Sequence, residues 1–262
     1  MAAVSGLIRV MEKAARKAGG KLRRDFGEVE HLQVSSKGPA DFVSKADQQA
    51  ERTLVEELQK ARPDWGFLLE EGGVIEGDPT KPRWIIDPLD GTTNFLHGIP
   101  HFAVSIALER DADLIAGVVY NPISDEMYWA EKGKGAFLNG RRLRVSGRKA
   151  MAPAQFATGI PFAGHRDHQR FLGELEKVMA VAAGVRRFGS AALDLAYVAA
   201  GRYDGFWEAG LSPWDMAAGI VLVREAGGFV SDLDGGPTMM ASGDILAAND
   251  SLHEALGRLL RR

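Results

Sequence analysis

The run Asp87-Pro88-Leu89-Asp90-Gly91-Thr92-Thr93-Asn94-Phe95 sets two carboxylates on either side of a proline turn and follows them with a glycine and small polar side chains. The apolar Trp84-Ile85-Ile86 just before it reads as a buried strand. Such a strand fixes Asp87, Pro88 restricts the turn, and Asp90 can then bring its carboxylate to the same point in space. Together the pair could hold two divalent ions. Gly91 allows close backbone approach, and the Gly91 and Thr92 amides would face outward if the chain next turns helical, which makes an anion site beside the carboxylates. A phosphate would bridge metals and amides. Taken alone, the same residues serve equally well as an Asp-Gly turn with Asp87 capping a backbone amide.

Hydrophobic periodicity supplies the elements that must position these groups. Apolar residues at three- and four-residue spacing predict a helix over residues 4–26, and a second from near Ser44 or Asp47 to the Arg62-Pro63 break. Short β-branched and aromatic runs at 65–69, 84–86, 102–108, 114–120, 127–130 and 136–138 predict an antiparallel meander, with Asn139-Gly140 as a tight turn. Beyond Gly147 strands at 155–160, 185–188 and 205–208 alternate with helices at 167–183, 190–200 and 213–226. Strands at 229–232 and 245–248 and a helix from Ser251 follow, and this alternation predicts a second α/β layer. Within these elements Asp47 reads locally as a carboxylate at a helix N-terminus, Ser190 as an N-cap and Glu208 as a solvated strand end.

Four motifs in order now carry a resemblance. The Asp87–Phe95 string resembles the signature of the inositol monophosphatase family, and Trp214-Asp215-Met216-Ala217-Ala218-Gly219 leading to Glu225-Ala226-Gly227-Gly228 resembles its C-terminal motif. Glu70-Glu71-Gly72 is similar to its Gly-Glu-Glu motif, with Leu69 in place of the glycine, and Asp41-Phe42-Val43-Ser44-Lys45-Ala46-Asp47 to its N-terminal motif, with Lys45-Ala46 as variants. The resemblance implies an α+β, layered αβαβα sandwich of the inositol monophosphatase and fructose-1,6-bisphosphatase type. Its N-terminal subdomain, 1–147, would carry most metal ligands, and its C-terminal subdomain, 148–262, would carry Asp215 and substrate contacts.

The implied activity is magnesium-dependent hydrolysis of myo-inositol monophosphate by a metal-activated water. Glu70, Asp87 and the Leu89 carbonyl would hold one ion and Asp87, Asp90 and Asp215 a second, with Glu70 holding a weaker third through water. Thr92, hydrogen-bonded to Asp47, would orient the water, so Thr92, Asp47 and Glu70 form the catalytic set. Asp90, Gly91, Thr92, Gly189, Ser190, Ala191, Glu208 and Asp215 would face the substrate. Thr93 stands where phosphoadenosine-phosphate and histidinol-phosphate phosphatases more often carry a basic residue. A broader action on fructose 1,6-bisphosphate, NADP or phosphoadenosine phosphate, and a role as a transcription antitermination partner, remain as alternatives. A homodimer is implied by analogy.

Composition narrows the rest. The 262 residues contain no cysteine, so disulfides, thiolate nucleophiles and thiolate metal sites are excluded. Net charge −3 and a pI near 6.1 argue against direct nucleic-acid binding, with Arg141, Arg142, Arg144, Arg148 and Lys149 read as a solvated hairpin surface. With no apolar stretch long enough for a signal core or membrane span, a cytoplasmic protein is expected. Gly133-Lys134-Gly135 lacks a phosphate-loop ending and reads as a hairpin, and His165 and His168 read as solvated. Tyr197, Trp207 and Trp214 read as core or pocket wall, and Lys37 either as an exposed loop lysine or as a neutraliser of phosphate.

Overall fold

Ile8, Met11, Ala15, Ala18 and Leu22 share one face of helix α1 (Gly6–Asp25), and all have no exposed surface. The Ser5 hydroxyl starts that helix by accepting the Ile8 amide at 3.2 Å. The computed structural model describes residues 4–26, 34–38, 41–162 and 167–261. His165 and the Lys37 side chain lie outside the described residues.

After α1 come the hairpin β1 (Val34–Gly38) and β2 (Asp41–Ser44), helix α2 (Lys45–Ala61), and strands β3 (Gly66–Leu69), β4 (Gly73–Ile75) and β5 (Arg83–Asp90). A one-turn helix α3 (Thr92–Leu96) leads to the meander β6 (Ala103–Arg110), β7 (Asp113–Asn121), β8 (Glu126–Glu131), β9 (Gly135–Leu138) and β10 (Arg141–Arg142). The later part contains β11 (Gln155–Thr158), α4 (His168–Met179), β12 (Gly184–Arg186), α5 (Ala191–Ala199), β13 (Gly205–Glu208) and α6 (Pro213–Glu225). It ends with β14 (Phe229–Ser231), α7 (Met239–Ser242), β15 (Ile245–Ala248) and α8 (Asp250–Arg261).

Two sheets, of eight strands (β10-β9-β8-β7-β6-β5-β3-β4) and five (β12-β11-β13-β15-β14), are packed with helices into a layered αβαβα sandwich. Alternation along β5 and β6 makes the larger sheet two-sided. Trp84, Ile86, Val104, Ile106 and Leu108 pack under α1 and α2, while Ile85, Ala103 and Ala107 meet α5 and α6 on the other face. Each large apolar side chain buried this way contributes about 1.5–3 kcal/mol. On its far side the five-stranded sheet buries Phe156, Trp207 and Leu246 against α4 and α8. Helix α6 lies so close to the large sheet that a Cβ on Gly117 would come within 2.6 Å of the Ala218 carbonyl, and that contact brings the start of α6 over the end of β5.

The antiparallel meander is present from β5 to β10 and the alternation follows beyond it, but the expected antiparallel strand at 65–69 runs parallel to β5, because the chain turns back through β4 before β5 begins. The remaining differences have local causes. The expected strand at 155–160 ends at Thr158, because Gly159 there turns past the Glu208 carboxylate. The expected helix at 167–183 stops at Met179, and the Ala183 amide is drawn to the Ala154 carbonyl at 2.9 Å. The strand expected at 185–188 covers Gly184–Arg186, and Phe188 stands 44% exposed. Strand β4 has no alternating pattern to find, since its place comes from pairing Val74 and Ile75 with Leu68 and Phe67. Gly133-Lys134-Gly135 is a hairpin turn whose two glycine amides donate to Glu225 at 2.9 and 2.7 Å, and Arg141 and Arg142 are exposed.

Candidate active site

Asp87 lies at the end of the buried stretch of β5 and is 2% exposed. Its Oδ1 accepts the Leu89 amide at 2.8 Å across Pro88, so the proline turn and the side chain lock each other. Beyond that turn the pairing of β5 with β6 shifts register between Asp87 and Asp90, which lets Asp90 swing back beside Asp87. Glu70 reaches the same place from β3, the parallel neighbour of β5, where its amide donates to the Ile86 carbonyl at 3.2 Å. Asp215 comes from the first turn of α6, with one oxygen accepting the Ser212 amide at 2.7 Å.

These arrivals bring oxygen atoms of Asp87, Asp90 and Asp215 within 4.8 Å of one another. Burial, and then the charges of Glu70, Asp90 and Asp215, push the Asp87 carboxyl well above its ordinary range. Asp215 is driven well up by burial and by Asp90. Asp90 is raised to about 6 by burial, held back by hydrogen bonds from the Ser190 hydroxyl and the first amides of α5. So much buried, mutually repelling carboxylate is costly without cations to offset it. The donor set is all oxygen, which fits hard divalent ions such as magnesium.

Thr92, the first residue of α3, places its Oγ1 2.9 Å from Asp47 Oδ1 and 3.0 Å from the Leu89 carbonyl. Asp47 has no exposed surface, although it is in the first turn of α2, so it serves Thr92 as well as its own helix. The Thr92 proton is committed to these acceptors, and its lone pairs can accept from a water. Gly91 before it has φ +97°, a conformation that favours glycine and turns the chain from β5 into α3.

The geometry is that of a metal-assisted hydrolytic site, and sequence comparison agrees: the inositol monophosphatase family profile matches residues 4–262. The chain belongs to that family. It is 59% identical over 258 residues to an inositol-1-monophosphatase of Mesorhizobium japonicum, covering 98% of this chain and 97% of the relative. It is also 48% identical over 257 residues to the Nus factor SuhB of Pseudomonas aeruginosa, covering 95% and 94%. Among solved structures, the extragenic suppressor protein suhB of Bartonella henselae superposes with a TM-score of 0.96 at 56% identity, covering 98% of this chain and 99% of that one.

In this inositol monophosphatase family member a cleft of about 290 Å³ opens beside the carboxylates, with Gly91, Thr92, Gly189, Ser190, Ala191 and Glu208 on its walls. Ser190 does two jobs at once. Its hydroxyl donates to Asp90 Oδ2 at 2.5 Å and caps α5 by accepting the Leu193 amide at 3.4 Å, while the Ala192 amide donates to the same Asp90 oxygen at 2.8 Å. The start of α5 therefore grips Asp90, and Ser190 acts on a carboxylate instead of offering its proton to the cleft. Glu208 is half-buried at the end of β13 and is raised to about 8, first by burial and then by the Asp90 charge, with Arg187 pulling the other way. A second cavity of about 570 Å³ continues from Glu70, Glu208 and Asp215 toward Trp214, Arg170 and Phe171. His168 begins α4 outside the carboxylate cluster, and Trp207 is core.

Two residues of the site carried no role in the sequence reading. Asn94 Nδ2 donates to the carbonyls of His101 at 2.8 Å and Phe188 at 2.7 Å, stitching α3 to the loop before α5. Asp194 is 1% exposed in α5, beside the cleft, and is raised well above its ordinary range by burial and then by Glu208 and Asp90. A lone acid inside the apolar Ala191-Ala192-Leu193-Asp194-Leu195-Ala196 was the signal that could have found it.

Proposed function

We propose that this phosphoric monoester hydrolase cleaves myo-inositol monophosphate to inositol and phosphate with magnesium as cofactor. The observation that carries the reading is the buried Asp87, Asp90 and Asp215 cluster standing beside the Thr92–Asp47 pair. Glu70, Asp87 and the Leu89 carbonyl would hold one ion and Asp87, Asp90 and Asp215 a second, with Glu70 reaching a weaker third through water. When bound, the ions acidify a water and stabilise the leaving oxygen. Thr92 orients the attacking water, because its hydroxyl donates to Asp47 and the Leu89 carbonyl and its lone pairs are left to accept a hydrogen bond from the water. The amides of Gly91 and Thr92 hold phosphate oxygens at the start of α3. Glu208, with the chain at Gly189, Ser190 and Ala191, meets the hydroxyls of the alcohol half. In this reading residues 1–147 supply most metal ligands and 148–262 supply Asp215 and the substrate wall.

Phosphate release from a panel of inositol monophosphates, fructose 1,6-bisphosphate, phosphoadenosine phosphate and NADP, with and without magnesium, tests the proposal. Inositol monophosphates should turn over fastest and only with the metal. Turnover that ignores magnesium would reject the mechanism, and a preferred bisphosphate or nucleotide would replace the substrate. The 570 Å³ cavity beyond Glu208 is the feature that favours such a broader substrate range.

The similarity to proteins named Nus factor SuhB supports a further role as an antitermination partner. A pull-down from cell extract with and without magnesium separates that role from catalysis. We also assign a cytoplasmic homodimer by family resemblance, with sedimentation as the check on its size. No described helix is long and apolar enough to cross a membrane.

A further inference from the structure

Helix α2 presents two buried carboxylates one turn apart on the side facing the site, Asp47 with no exposed surface and Glu51 with 7%. Asp47 receives the Thr92 hydroxyl. Glu51 receives something different: its Oε2 accepts the Glu71 backbone amide at 2.9 Å, directly after Glu70. Gly72 completes the contact, since a Cβ there would lie 2.9 Å from Glu51 Oε1, so the turn after β3 is moulded around this carboxylate.

The Glu70 amide is pinned on its other side to the Ile86 carbonyl at 3.2 Å, next to Asp87. Glu70 is therefore held between β5 and α2, and the two grips differ in kind. The β5 grip is a sheet bond that any residue could make, whereas the α2 grip depends on the side chain at position 51.

We propose that Glu51 is a positioning residue that sets the Glu70 carboxylate for metal binding. The inference rests on the reading above that Glu70 is a metal ligand. Helix α2 then acts as a ruler: one turn of helix fixes the spacing between the group that holds Thr92 and the group that holds the Glu70 turn. A partner behind a ligand typically changes metal affinity by about 10–100-fold when it is removed.

The test is calorimetric titration of magnesium into the metal-free full chain, which needs no turnover, combined with magnesium half-saturation and KM from steady-state rates. Glu51→Leu removes the acceptor at similar size and should weaken magnesium binding by about 10–100-fold, with KM at saturating magnesium within about threefold of the parent. Glu51→Gln retains an oxygen for the Glu71 amide and should restore affinity to within about threefold of the parent. Gly72→Ala leaves the carboxylate in place but crowds it, and should weaken magnesium binding in the same direction by a smaller factor. This variant keeps the proposal open to refutation if Glu51→Leu fails to fold.

Unchanged magnesium affinity in folded Glu51→Leu or in Gly72→Ala would overturn the proposal. So would a Glu51→Gln variant as weak as Glu51→Leu, because charge and not the hydrogen bond would then be responsible. A parent protein that binds magnesium but releases no phosphate from the panel would reject the proposed function and leave this test intact.

Discussion

The carboxylates of the site and the residues facing the substrate cleft stand on different supports. Asp87 and Asp90 occupy a strand that is buried from Trp84 to Asp90 and paired on both sides, by β3 and β6. Each has a second hold as well, Asp87 through the Leu89 amide and Asp90 through Ser190 and Ala192. The cleft wall proposed to meet the substrate is looser: Ile160 and Phe162 on it are 45% and 40% exposed, and Gly189 has φ +79° in the connection between β12 and α5. Cations need oxygen atoms at set spacing, which rigid strands provide, while the alcohol half of a substrate is recognised by a few contacts that connecting segments can vary.

The sharpest way to break this comparison is to remove a charge from the rigid side. Asp87→Asn should abolish magnesium-dependent turnover with the fold kept, since the volume hardly changes and only the charge opposing the cations is lost. Near-normal rates at saturating magnesium, with unchanged circular dichroism, would show that the rigid wall is not the metal wall. Asp90→Asn should behave alike.

Next in size is Thr92→Ala, expected to lower kcat by about 10²–10⁴-fold with a modest change in KM, because the amides of α3 stay while the water-orienting hydroxyl goes. Asp47→Asn combined with it should be far from additive, since the two act as one unit. A raised KM at unchanged kcat would move Thr92 from catalysis to binding.

On the looser side the effects should be smaller and depend on substrate. Glu208→Gln should shift relative kcat/KM between inositol monophosphate and a phosphate ester lacking hydroxyls by about 2–10-fold, the scale of a neutral hydrogen bond of about 0.5–1.5 kcal/mol, since burial raises its carboxyl to about 8. Magnesium half-saturation should hardly move. Gly159→Ala should act in the same direction, as its Cβ would collide with the Glu208 carboxylate. An equal loss on every substrate would erase the distinction between the two walls.

The smallest expected effect is on stability. Burial raises Glu208 from 4.5 to about 8, so the folded metal-free protein binds a proton that the unfolded chain has released. Its contribution is present in full below pH 4.5 and is lost as pH rises through about 8. The melting temperature of metal-free protein should therefore fall by a few degrees between about pH 5 and pH 8.5, and less so in Glu208→Gln. A parent and variant with parallel pH profiles would show that Glu208 titrates normally.

Much of the chemistry was legible because it is local. The string from Asp87 to Asn94 carries side-chain type and element type in a few neighbouring residues, while Glu70 and Asp215 stood out through the resemblance of their short motifs to the family's. Periodicity likewise exposed the helices and the meander, since burial on one face leaves a repeat of 3.6 or 2 residues. What the tertiary structure alone decided is which groups hold these side chains. Ser190 lies 100 positions from the Asp90 it grips and Asn94 reaches the Phe188 carbonyl 94 residues on, while the Thr92–Asp47 pair, 45 positions apart, was expected only through the family resemblance. Contacts of that kind leave no spacing to read, because a hydrogen bond between distant segments is set by how the sheets and helices stack. Local sequence assigned Ser190 and Asp47 to the ends of their own helices, and both are there. Only the packing of α2 and α5 against the end of β5 turned those helix starts toward Thr92 and Asp90.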